Sequence, residues 1–142
     1  MKRNLYLVAE SDIDATFIQE ILDLSKYEVR AVGVNGRNTV ASYVRMMRLM
    51  MNNTARMVVV FDADTMIPEG IRQAEENMRQ ASQTEYVKDK VAIYAFFPDL
   101  ERYFGMPQLH KNKEAYAQYA RENKVELCKK ELVKEIQKFL NK

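Results

Sequence analysis

The stretch from Met57 to Asp64 reads MVVVFDAD, which is five consecutive apolar residues followed by Asp-Ala-Asp. An uninterrupted apolar run of this length is typical of a strand that is buried on both faces, as in a parallel sheet. A second apolar run extends from Leu5 to Ala9 and ends immediately before Glu10. Since a helical pattern follows each run, both are predicted to be strands whose carboxyl ends bear acidic side chains.

The rest of the chain continues the alternation of strands and helices. Val29–Val34 and Lys90–Phe97 are predicted as two further strands. Apolar residues recur at helical spacing over about 13–24 and 38–51, and a helical pattern returns after residue 98 with breaks near 105–107 and 122–124. Pro68 is placed as a first-turn proline and predicts a polar helix to about Gln83. This order predicts an α/β fold with a mainly parallel four-stranded sheet, helices on both faces and a C-terminal helical extension.

Length and composition are those of one ordinary globular domain. The chain has 142 residues, 47% of them hydrophobic and 30% charged, so we expect a single domain over 1–142 with an α/β core at about 5–97 and the extension at 98–142. A net charge of +2 does not indicate a strongly basic nucleic-acid binder. Cys128 is the single cysteine, which excludes a disulfide framework. No apolar run approaches the roughly 20 residues that span a bilayer, so we expect a cytoplasmic protein without membrane association.

The acidic residues that follow the first and third strands suggest a shared site. In a parallel sheet, the carboxyl ends of the strands face one crevice where ligands bind. If the two strands are neighbours, the side chains of Glu10, Asp14, Asp62 and Asp64 converge on one rim of the sheet. Such a cluster needs cations to stay ionised, and carboxylate oxygens suit Mg²⁺ or Mn²⁺.

Each of these acids except Glu10 also has a structural explanation. A loop can begin at Asp62, with Asp64 forming a turn or capping the following helix. Asp14 can interact with the positive end of the first helix dipole. For Asp12, we expect the structural role of N-cap residue of that helix. Glu10 is different, because glutamate at a strand end neither caps a helix nor forms a turn well.

These motifs resemble the Toprim family, the catalytic domain shared by type IA and type II topoisomerases, bacterial primases and overcoming-lysogenization-defect nucleases. Toprim strands end in Val-Glu-Gly-x-x-Asp and, later, in Asp-x-Asp. The corresponding segments here are Ala9–Asp14, with Ser11 in place of the family glycine, and Phe61–Thr65. The segment Val32–Gly36 occupies the place of the family's second strand and glycine turn. Phe96–Glu101 looks like a further signature of small stand-alone or nuclease-type members.

The resemblance implies a Toprim/Rossmann-like fold and a metal-dependent site. Glu10 would be a metal ligand or a general acid/base, and Asp62 and Asp64 would hold Mg²⁺, so these three are the implied catalytic residues. Asp14 would help to bind a second ion, and Glu101 would be an additional ligand.

The first functional hypothesis is therefore Mg²⁺-dependent phosphodiester chemistry on nucleic acid by a nuclease-type Toprim protein. Topoisomerase and primase activities are not expected, because the chain has no room for the additional domains that they require. A small domain of this kind is expected to need a protein partner or self-association to grip nucleic acid. The alternative is a catalytically inactive Toprim-like module that binds metal or a partner. A third interpretation, a response-regulator-like domain, lacks the expected lysine after a late strand, since Lys88 and Lys90 precede the fourth strand.

Overall fold

The computed structural model describes residues 2–142 and has an alternating arrangement of strands and helices. The strands are β1 Arg3–Ala9, β2 Tyr27–Gly33, β3 Arg56–Asp62 and β4 Val91–Phe96. The helices are α1 Asp12–Ile21, α2 Arg37–Arg48, α3 Pro68–Ser82, α4 Leu100–Tyr103, α5 Lys113–Glu122, α6 Lys124–Leu127 and α7 Glu131–Leu140. None of the helices within residues 2–142 is long and apolar enough to cross a membrane.

The four strands form one parallel sheet in the order β2-β1-β3-β4. The predicted α/β class, with a parallel four-stranded sheet and helices on both faces, is confirmed. β1 and β3 are neighbours, with Leu5 opposite Arg56 and Val8 opposite Val59. The chain leaves β1 toward one side of the sheet to form β2 and returns to the other side to form β3, so the topological switch point lies between β1 and β3.

Two apolar layers cover the sheet, one on each face, as the alternation of side chains along a strand requires. In β3, Val58 and Val60 pack into one layer with residues of α1, α5 and α7. Met57, Val59 and Phe61 of the same strand pack into the other layer with residues of α2 and α3. The C-terminal helices are therefore part of the packing on one sheet face.

The helix boundaries differ from the expected ones in two informative places. We expected Asp12 to cap α1, and this was wrong, because the hydroxyl of Ser11 accepts the hydrogen bond from the Asp14 N–H at 3.1 Å. The Asp12 carboxylate instead accepts a hydrogen bond from the Gly33 N–H at 2.8 Å and so joins the β1–α1 loop to the end of β2. The C-terminal region also has a break that we did not predict, at residues 128–130 between α6 and α7.

Gly33 is required by the close approach of β2 to the β1–α1 loop. A β-carbon at this position would lie 1.9 Å from both the Asp12 nitrogen and the Ser11 carbonyl carbon, which are backbone atoms that cannot move aside cheaply. The absence of a side chain at Gly33 therefore sets the path of the loop that follows Glu10.

We expect Gly33→Ala to lower the free energy of unfolding by about 1–3 kcal/mol, the range for inserting a methyl group into a filled space. Urea denaturation measures this change. The matched control is Ala31→Val, which also enlarges a side chain of β2 but at an exposed position. Equal stability of Gly33→Ala and the wild type would contradict the close approach.

Candidate active site at the ends of β1 and β3

Glu10 and Asp62 lie side by side at the switch point of the sheet. Glu10 directly follows β1, and Asp62 is the last residue of β3. The Glu10 carboxylate oxygen Oε1 accepts a hydrogen bond of 2.6 Å from the Asp62 N–H. The Asp62 Oδ1 in turn accepts a bond of 2.9 Å from the N–H of Leu100, the first residue of α4. The two bonds fix the orientation of both carboxylates and leave Glu10 Oε2 and Asp62 Oδ2 for another partner.

Asp14 belongs to the same electrostatic group. It lies in the first turn of α1, where its N–H is bonded to the Ser11 cap. Burial, followed by repulsion from Glu101 and Glu10, raises the pKa of Asp14 to about 6. Burial, followed by repulsion from Asp14 and Glu10, raises the pKa of Asp62 to about 7. Asp14 and Asp62 are thus close enough to the neighbouring carboxylates for repulsion to disfavour their charged forms.

Glu101, from α4, completes the group but already has a cationic partner. Its Oε2 is 2.7 Å from the Lys111 Nζ and accepts a hydrogen bond of 3.1 Å from the Tyr116 hydroxyl. Burial acts to raise the pKa of Glu101, but the hydrogen bonds from Lys111 and Tyr116 outweigh it and leave that pKa below its ordinary value. The same ion pair raises the pKa of Lys111 above its ordinary value. Lys111 therefore supplies positive charge at the edge of the acidic group.

Asp64 is held apart from these four acids. Its backbone has a φ of 60°, in the left-handed region that aspartate tolerates better than most residues, and its N–H donates to the Pro98 carbonyl at 2.7 Å. The side chain is 76% exposed and pairs with Arg37 at 3.2 Å. The Arg37 Nη2 also donates to the Asp62 carbonyl at 2.6 Å, so the guanidinium spans both residues of the Asp-x-Asp motif.

The residues fit a hard divalent cation by their chemistry and charge rather than by a preformed arrangement. Carboxylate oxygens are the donors that Mg²⁺ and Mn²⁺ prefer. The raised pKa values of Asp14 and Asp62 arise partly from repulsion by neighbouring carboxylates, and a bound cation would reduce that repulsion. As the side chains stand, however, no group of three or more His, Cys, Asp or Glu within residues 2–142 is placed to hold a metal ion. Binding would require local rotation of Asp14, because hydrogen bonds hold the carboxylates of Glu10 and Asp62.

Sequence reasoning missed the basic and backbone partners of the site. Lys111 reaches Glu101 from a loop ten residues later in the chain, and Arg37 reaches Asp64 from the start of α2. The Leu100 N–H is available because α4 begins directly behind the end of β4. The sequence shows Arg37 and Lys111 as charged residues near loops, but it does not indicate which acid each one pairs with.

Comparison of the chain with protein-family models, with curated protein sequences and with solved structures found no match. The resemblance to the Toprim family therefore stays a prediction that depends on the motifs and on the geometry described above.

The raised pKa of Asp62 predicts a pH-dependent stability difference between the wild type and Asp62→Asn. The pKa is about 7 in the folded protein against an ordinary 3.8. The contribution of protonated Asp62 to the free energy of unfolding is therefore fully present below pH 3.8 and is lost as the pH rises through about 7. Without divalent ions, Asp62→Asn should be the more stable protein at about pH 8, by on the order of 1 kcal/mol after allowance for solvent screening. The difference should shrink toward about pH 5.

Urea denaturation in a chelating buffer at a series of pH values measures this difference. Asp89→Asn is the control, because Asp89 is an exposed acid in the turn before β4. A difference between Asp62→Asn and the wild type that does not vary with pH would contradict the electrostatic account of the site.

Proposed function

We propose that this chain carries out Mg²⁺- or Mn²⁺-dependent phosphodiester chemistry on nucleic acid, as a nuclease-type Toprim-like protein. The observation that supports it most is the Glu10–Asp62 pair at the switch point, with Asp14 in the same group of mutually repelling carboxylates. In open α/β sheets this crevice is the usual place for a ligand. A protein gains no stability from crowding acids there, which favours a functional reason for them.

Glu10, Asp14 and Asp62 are the residues that would hold the ion, with Glu101 as an additional ligand if Lys111 leaves it. Asp64 would join them only after separation from Arg37. When bound, the divalent ion would polarise a phosphate oxygen and offset the charge that develops during cleavage.

Glu10 and Asp62 have distinct roles in this proposal because their hydrogen bonds differ. Glu10 is oriented by the Asp62 N–H, so its Oε1 is held and its Oε2 would be the oxygen that contacts the ion. Asp62 has a pKa of about 7, so at neutral pH its Oδ2 can either hold a proton or accept one. Its Oδ1 is bonded to the Leu100 N–H, which keeps the carboxyl group in one orientation in both protonation states.

Two cations beside the acids would contact the phosphates of a nucleic acid. Arg37 and Lys111 are both partly exposed, at 38% and 68% of their side-chain surface, and each is paired with an acid of the predicted site. Phosphate contacts of this kind position a backbone without reading its sequence. A protein partner or self-association would extend the surface that binds the nucleic acid. We also propose that the protein acts in the cytoplasm.

The same two ion pairs favour the alternative function, a Toprim-like module that binds metal or a partner without catalysis. Arg37 neutralises Asp64, and Lys111 neutralises Glu101, so two of the five predicted ligands already have counter-ions. In this alternative, the remaining acids bind one cation, and the site lacks the charge for a second.

We expect Asp62→Asn to abolish divalent-dependent cleavage of nucleic acid while the fold stays intact, because the substitution removes the charge but keeps the shape and the acceptor for Leu100. Cleavage of labelled single- and double-stranded DNA and RNA, together with circular dichroism, measures both properties. Asp89→Asn should cleave like the wild type. Equal cleavage by Asp62→Asn and the wild type would refute the catalytic assignment.

Calorimetric titration with Mn²⁺ separates the two functions. The enzyme and a metal-binding module both predict saturable Mn²⁺ binding that Asp62→Asn weakens by at least about tenfold, which corresponds to about 1.4 kcal/mol. Only the enzyme also predicts cleavage by the Mn²⁺-loaded protein. Binding without cleavage of any of the four substrates supports the metal-binding module. The absence of binding contradicts both the enzyme and the metal-binding module, and it leaves a module that binds only a partner.

A further inference from the structure

A cavity of about 300 Å³ lies along the outer edge of β4, far from the acidic site. Its floor is formed by Val91–Tyr94 in the first half of β4, whereas Glu10 and Asp62 lie at the carboxyl ends of the strands. Arg79 of α3 lines one wall, and Glu135, Lys138 and Phe139 of α7 line the other. The cavity is therefore a groove between two helices with the edge of the sheet at its base.

Backbone hydrogen-bonding groups of β4 point into this groove. β4 is the last strand of the sheet and pairs only with β3. The carbonyls of Lys90 and Phe96 are bonded to β3, so alternation along the strand directs the N–H and C=O of odd-numbered residues outward. The Val91 N–H is satisfied by the Val87 carbonyl, and the Ala95 N–H by the Glu75 carboxylate. Ile93, between them, presents both its N–H and its C=O to the groove.

The opposite edge of the sheet, formed by β2, is protected against pairing with another strand by charged side chains that the β4 edge lacks. β2 has the exposed charged residues Glu28 and Arg30, which oppose pairing with another strand. The part of β4 that lines the groove reads Val-Ala-Ile-Tyr and has no charged residue. At its far end, the Glu75 bond to Ala95 occupies the next outward N–H and limits the open edge to Val91 and Ile93.

The rim of the groove is basic. Arg79, Lys88, Lys138 and Lys142 surround it, and Glu135 is the one acid among the lining residues within 2–142. Arg79 is 3.6 Å from Glu76, whereas no acid within 4.0 Å pairs with Lys88, Lys138 or Lys142 in residues 2–142. This charge favours an acidic occupant.

We propose that the groove binds an extended acidic segment of a partner protein, which adds to β4 as a further strand. The Ile93 N–H would donate to a carbonyl of the segment, and the Val91 and Ile93 carbonyls would accept from its N–H groups. Acidic side chains of the segment would meet Lys88 and Lys138. Main-chain bonds supply affinity in this mode of recognition, and the side-chain contacts supply specificity. The proposal does not depend on the acidic site or on its function.

The test uses the intact protein and a fluorescent peptide of alternating glutamate and valine, with anisotropy as the measure of binding. We expect saturable binding, weakened about tenfold or more by Lys88→Glu or Lys138→Glu. Lys26→Glu, the same charge change beside the opposite edge strand, should bind like the wild type. A second peptide with proline in place of each valine lacks half of the N–H donors and should bind at least about tenfold more weakly.

Amide hydrogen exchange followed by NMR gives the direct readout. In the free protein the Ile93 amide should exchange faster than those of Ala92 and Tyr94, which are bonded to β3, and the peptide should slow it. No binding of the peptide, equal binding of the proline peptide, or an Ile93 amide unchanged by the peptide would each overturn strand addition. Displacement of the peptide by inorganic phosphate with no change at Ile93 would also overturn it and would identify an anion pocket.

Discussion

The hydrogen bond from the Asp62 N–H to the Glu10 carboxylate is the contact on which the candidate site depends. It joins the ends of β1 and β3, the two strands between which the chain changes direction in the sheet. This N–H would be the next donor of the parallel ladder between the two strands, and a side chain accepts it where the ladder ends. The bond thus fixes a glutamate beside an aspartate in a crevice where their charges repel.

The surroundings of these acids show how the fold tolerates that repulsion. Asp14 and Asp62 respond by raised pKa values, which lower the fraction of each that is charged near neutral pH. The hydrogen bonds from Lys111 and Tyr116 lower the pKa of Glu101, and Asp64 forms an ion pair with Arg37 at the exposed side of the loop. Three acids at the switch point have no such cation, and this local excess of negative charge makes them the best candidates for holding an ion.

The sequence predicted the parts of this arrangement that follow from local pattern. The apolar runs before Glu10 and Asp62 identify buried parallel strands. The sequence leaves open whether β1 and β3 are neighbours, and the structure shows that they are. The position of Asp64 could not be predicted in this way, because it depends on a left-handed backbone conformation and on an arginine from α2. Lys111 likewise meets Glu101 only because α5 packs on the sheet face that α1 covers, which is a tertiary contact without a local signal. The identity of the α1 cap could not be predicted for a similar reason. Ser11 caps the helix in place of Asp12, since the Asp12 carboxylate bonds to the Gly33 N–H, a long-range partner.

The central claim is that oxygens of Glu10 and Asp62 share one divalent ion. The most direct measurement is a crystal of the protein soaked in Mn²⁺, with anomalous scattering used to locate the metal. The account predicts an anomalous peak in contact with the carboxylates of Glu10 and Asp62 at the ends of β1 and β3. Ordered crystals in which both carboxylates are resolved, and in which the only manganese lies elsewhere or is absent, would contradict it.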